Sequence, residues 1–142
     1  MATISPAAPP AWFRIVAYLA VLWNAFGVFN YLHSVGLFGD PMASLDAAQR
    51  AAAESIPSLV IGAFAIGTFA GLLGSLGLVL RKAWALPVLL VSLLALLVLE
   101  GWIVFLSGHL EAFGLALPIV VTAGAVLLAW VASLGRRNGW LR

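Results

Sequence analysis

Residues 86–107, LPVLLVSLLALLVLEGWIVFLS, form a continuous apolar run holding a single acid, Glu100. A run of that length can cross a bilayer as a helix. Arg81 and Lys82 stand just before it, and His109 and Glu111 just after. A carboxyl inside such a run is costly, so it requires a partner, a wet cavity or a shifted proton equilibrium. Three other apolar runs accompany this one. With the flanking residues included, the spans are expected over 12–32, 57–80, 84–107 and 115–134. The chain therefore reads as a single all-α membrane domain, an integral four-helix bundle embedded in the lipid bilayer.

Composition leaves little room for another class. Hydrophobic residues make up 64% of the 142 and charged residues 8%, against about a quarter charged in soluble domains. A formal charge of +2 is too small and too scattered for a nucleic-acid partner. The absence of cysteine excludes disulfides, thiolate metal sites and cysteine nucleophiles. Residues 1–11 contain no Lys or Arg and so lack the basic start of a cleavable signal peptide. The first span is expected to stay in place.

Charge gives the orientation. Arg14, Arg81, Lys82, Arg136, Arg137 and Arg142 all fall on one side if the chain crosses four times. The loop with Asp40, Asp46 and Glu54 falls on the other. By the positive-inside rule both termini are cytoplasmic. Both halves of the chain then run in the same sense, so no inverted repeat is available within it. In the first outer loop a short interfacial helix is expected, capped by Ser44, with Asp46, Arg50 and Glu54 paired along one face.

Small residues set the packing. Ala63, Gly67, Gly71 and Ser75 recur every four residues, a ridge that lets a second helix approach closely. Packing inside the monomer is the default use of this ridge. A homo-oligomer or larger complex assembled through Gly67, Gly71 and Ser75 is the alternative.

The polar residues within the spans define the candidate site. At about 1.5 Å per residue, Asn24 lies about 15 Å beyond Arg14, Asn30 about 24 Å beyond Arg14, and Glu100 about 27 Å beyond Lys82. Asn30, Tyr31 and Glu100 therefore share a level in the outer half, and Asn24 shares one with Thr68. Spans one and three are expected to enclose an outward-opening pocket around them, walled by Trp23, Trp102 and Phe105. Amides, a hydroxyl, a carboxylate and aromatic rings suit a sugar or a small cation. The plainer reading makes Asn24 an interhelical bond to Thr68, worth on the order of 1 kcal/mol, and has Glu100 sealed by Tyr31 or Asn30. His33 and His109 belong at the outer interface. His109 and Glu111 are too few for a metal site. No HExxH, GxSxG or glycine-rich phosphate loop is present, so no cofactor and no enzymatic activity are expected.

A family resemblance rests on Trp23 and Asn24 followed by Gly27 and Tyr31, then Asp46, Ala47, Ala48, Gln49, Arg50 and Pro57. It continues through Ala63, Phe64 and Ala65, Gly71, Gly74 and Ser75, Leu80, Arg81 and Lys82, Trp84 and Ala85, Pro87, and Ser92 and Leu93. In this pattern the chain resembles the small four-span bacterial inner-membrane proteins often labelled sugar transporters, over residues 12–142. The resemblance implies a bacterial inner-membrane location and a small polar solute such as a sugar. That family carries an acid where this chain has Asn30 and a Gln near the position of Glu100, which implies that the two groups meet. The expected function is binding or facilitated passage of such a solute, with Trp23, Asn24, Asn30, Tyr31, Glu100 and Trp102 as its site. The alternative is a non-transporting accessory or scaffold subunit of a larger membrane complex.

Overall fold

A computed structural model describes residues 8–107, 111 and 114–142. Among the described residues it is all-helical, with five helices. They are α1 (Ala11–Ser34), α2 (Ala47–Glu54), α3 (Ser58–Val79), α4 (Ala85–Phe105) and α5 (Ala116–Arg137). All but α2 are long and apolar enough to span a membrane, as a multi-pass membrane protein requires. Their outward faces carry Leu22, Leu94, Ile119 and other large apolar side chains that only lipid would cover. The last helix runs to Arg137, three residues past the expected end, because Gly139 rather than Leu134 supplies its stop.

The helices pack around the bundle in the order α1, α3, α4, α5. The ridge on α3 makes this possible. A Cβ on Gly74 would lie 2.6 Å from Leu89 of α4, and one on Gly67 would lie 2.7 Å from Leu96. Gly77 is equally crowded by Trp84 and Ala85. Without a hydrophobic drive inside lipid, such close approach is the main source of helix association. Gly67, Gly71 and Ser75 are buried by α1 and α4. Packing inside the monomer, the default reading of the ridge, describes their place here.

One end of the bundle is sealed. Phe13, Ala17 and Ala20 of α1 meet Leu78, Ala85, Leu89, Leu128, Val131 and Ala132 there. Phe13 also lies edge-on to Trp140 at 5.4 Å, and Trp12 to Trp140 at 5.8 Å. The helix stops at this end share one geometry. Trp140 N–H donates to the Gly135 carbonyl at 2.8 Å after Gly139 at φ +69°. Lys82 N–H likewise donates to the Gly77 carbonyl at 2.8 Å after Arg81 at φ +59°. This six-to-one bond is a Schellman closure, for which glycine is the usual left-handed residue. Arg81 holds that conformation because its neighbours fix it. Its Nε donates to the Trp140 carbonyl at 3.0 Å, and its own carbonyl accepts from Arg142 N–H at 2.8 Å. Ala83 N–H completes the clasp on the Arg142 carbonyl.

The loop before α3 also departs from expectation. The cap of α2 is Asp46, not Ser44: its carboxylate accepts from Gln49 N–H at 2.8 Å and Gln49 reaches back to Asp46 N–H at 3.2 Å. This reciprocal box satisfies two donors at once, which Ser44 could not do two residues earlier. Arg50 donates to the carbonyls of Met42 and Leu45 instead of pairing along the helix. Backbone carbonyls fixed by the preceding turn are nearer partners than an exposed carboxylate one helical turn away.

Candidate functional site

At the other end of the bundle the same four helices enclose a cavity of about 310 Å³. It exists because α1 and α5, which meet through Phe13 and Val131 at the sealed end, hardly touch beyond Trp23. The Trp23 indole spans that gap toward Gly124 of α5. Past it, α1 contributes Phe26, Gly27 and Asn30, and α5 contributes Leu117, Pro118 and Val121.

The stripe of α4 that faces the cavity is Leu89, Ser92, Leu96, Leu99, Glu100 and Ile103. These positions are spaced by three and four, so they fall on one helical face. Ser92 is buried and donates its hydroxyl to the Gly67 carbonyl of α3 at 2.6 Å. Two turns further on, Glu100 is buried, with only 8% of its surface accessible. Its Oε2 is fully enclosed and has no hydrogen-bond partner among the described residues. It is the one Asp, Glu, Lys, Arg or His among the described residues that line the cavity.

The expected residues divide. Trp23, Asn24, Asn30 and Glu100 line the cavity. Tyr31 does not. It packs edge-on against Phe64 at 5.5 Å and Phe69 at 5.9 Å, on the side of α1 that faces α3. One residue turns a helix by about 100°, and here that step takes Tyr31 out of the lining and onto the Phe64 and Phe69 rings. Trp102 is also outside the lining. It is two residues past Glu100, about 200° round the helix. Phe105, 83% exposed, stands away from the site. His109 lies outside the described residues.

The interhelical bond from Asn24 is present with a different partner. Its Nδ2 donates to Ser75 Oγ at 3.0 Å and to the Ala20 carbonyl at 2.9 Å. Thr68 instead donates to the carbonyls of Phe64 and Ala65 within its own helix and rests its methyl opposite Gly27. Thr68 and Ser75 share one stripe two turns apart. Counting from the basic residues therefore selected the right face at the wrong level. Gly71 lies between them, and the Asn24 amide and the Ser92 hydroxyl both sit where its Cβ would be.

Asn30 donates to the Phe26 carbonyl at 2.8 Å in its own helix. Glu100 is thus sealed by neither Asn30 nor Tyr31, although Asn30 and Glu100 border the same space. The polar lining residue that sequence reasoning missed is Ser92. Ser92 lies eight residues before Glu100, on the same stripe, which was the available signal. No group of three metal-ligating side chains occurs among the described residues.

Compared with protein-family models, with curated proteins and with solved structures, the chain has no match. The resemblance to the four-span proteins labelled sugar transporters rests on the residues quoted for it alone.

Proposed function

We propose that this protein binds a small solute in the four-helix cavity, with Glu100 as the group that recognises it, and that this binding serves passage of the solute through the bacterial inner membrane. The observation that carries this reading is Glu100, the one charged residue among the described residues that line the cavity, whose enclosed Oε2 has no hydrogen-bond partner among them. A purely structural carboxyl would be expected to have its hydrogen bonds supplied by neighbouring helices, as Asn24 has them supplied by Ser75. A cavity of about 310 Å³ is at the lower end of small-molecule sites. The wall favours a ligand with one polar end over a sugar. Asn24, Thr68 and Ser92 already spend donors on protein acceptors, so several sugar hydroxyls would be desolvated with few matching groups.

The test is binding to purified protein, read by calorimetry against a detergent blank, with glucose, phenethyl alcohol and phenethylamine as probes. Binding of at least one probe that Ala125→Phe abolishes supports the reading, since Ala125 lines the cavity and the larger ring would fill it. If none binds, the solute reading fails and the accessory-subunit alternative takes its place.

Orientation belongs to the same proposal. The six basic residues gather at the sealed end, which is the cytoplasmic one by the positive-inside rule. Because the chain has no native cysteine, single cysteines at Arg137 and Glu54 can be labelled from either side without background. Labelling of position 137 from outside intact cells would reverse the assignment.

A further inference from the structure

We infer that the cavity is a site for a small amphipathic amine, whose ammonium nitrogen pairs with the Glu100 carboxylate while its hydrocarbon part fills the space beneath. The inference rests on the solute-binding reading and names the ligand class within it. Three observations converge. The first is charge. Glu100 is the acid in the lining, while no described lining residue is Lys, Arg or His, and the basic residues near the span ends lie at the sealed end. A cationic group is therefore the complement of this acid, and a charge-assisted bond is stronger than a neutral one.

The second is the wall. Trp23, Phe26 and Phe64 bring aromatic rings to the cavity, and Leu96, Leu99 and Val121 bring aliphatic ones. Ring faces attract cations, and the aliphatic groups accept a hydrocarbon body. The volume of about 310 Å³ is at the lower end of small-molecule sites. A bare metal ion fits poorly, because hard cations require a shell of several oxygens and the described residues offer no such group.

The third is access. α1 and α5 scarcely pack on each other, and Phe26 of α1 and Leu117 and Val121 of α5 both line the cavity. An apolar edge on helices that face lipid admits a molecule already dissolved in the membrane, as an amphipathic amine is.

Phenethylamine and phenethyl alcohol have nearly the same shape and differ in the cationic group, so the pair isolates it. Wild-type protein should bind the amine about tenfold or more tighter than the alcohol, and Glu100→Gln should erase that preference while leaving the alcohol's affinity within about threefold. Retained alcohol binding shows that the variant's cavity is folded. Equal binding of amine and alcohol by the wild type, unmoved by Glu100→Gln, overturns the amine assignment and leaves the solute site standing. An amine preference that survives in Glu100→Gln also overturns it, because the cation is then held elsewhere. Absence of binding by either probe overturns both.

Discussion

The two ends of the bundle are built from the same four helices by opposite means. At the sealed end, α1 and α5 close on each other through Phe13, Val131, Leu141 and Trp140, and every long helix contributes a buried side chain. Toward the cavity end α1 and α5 scarcely pack on each other, while α3 holds α4 through glycine contacts and Ser92 and holds α1 through Asn24 and Tyr31. Stability is therefore concentrated at one end, leaving the other free to carry an enclosed carboxyl oxygen without a partner. That division is typical of binding proteins, whose functional groups violate local rules that the scaffold obeys.

The sharpest way to break the comparison is to remove an equal side chain from each end. Phe13→Ala should lower stability by about 3 kcal/mol or more, whereas Phe26→Ala, at a residue 60% exposed to the surroundings, should change it by less than about 0.5 kcal/mol. Denaturation in mixed SDS–detergent micelles reads both, and similar losses would remove the distinction. A smaller effect is expected along the ridge. Gly74→Ala places a methyl into Leu89 and should cost about 1–3 kcal/mol. Gly62→Ala and Gly101→Ala meet open space and should be neutral or gain up to about 1 kcal/mol through helix propensity.

The next contrast sets the two buried polar groups against each other. Asn24→Leu loses a satisfied bond to Ser75 and should destabilise by about 0.6 kcal/mol. Glu100→Met removes an unsatisfied oxygen and should stabilise by about 1 kcal/mol. A loss of stability from Glu100→Met would mean that the carboxyl is structural after all. The smallest effect concerns the clasp. Arg81→Ala keeps the left-handed backbone but loses the bond to the Trp140 carbonyl, for about 1 kcal/mol or less. Arg81→Gly relieves the backbone as well and should be close to neutral.

The four long helices and the close-packed face of α3 were legible in the sequence because both follow from one-dimensional signals. Apolar length gives a span, and Ala63, Gly67, Gly71 and Ser75 give a close-packed face, whatever the neighbours are. The site was legible only in part. Glu100, Asn30 and Trp23 announced themselves as polar or aromatic groups in apolar runs. Tyr31 and Trp102 lie outside the cavity lining, because depth alone does not fix a direction and one or two residues of helix rotate a side chain onto another face. The Asn24 partner failed for a related reason. Depth counted from the basic residues assumes untilted helices that begin level, and an offset of two turns moves Ser75 into the place of Thr68. The parting of α1 from α5 is a property of the pair, so neither helix records it alone.

The clasp at Arg81 has a consequence for the order of assembly. The turn between α3 and α4 is closed by Trp140 and Arg142, and Arg81 is 59 residues distant in sequence from Trp140. During synthesis the α3–α4 hairpin must enter the membrane before those partners exist. Until then Arg81 lacks the bonds that fix its left-handed backbone, and Trp140 and Arg142 supply them once α5 is in place. Insertion of the hairpin and closure of its turn thereby become separate events.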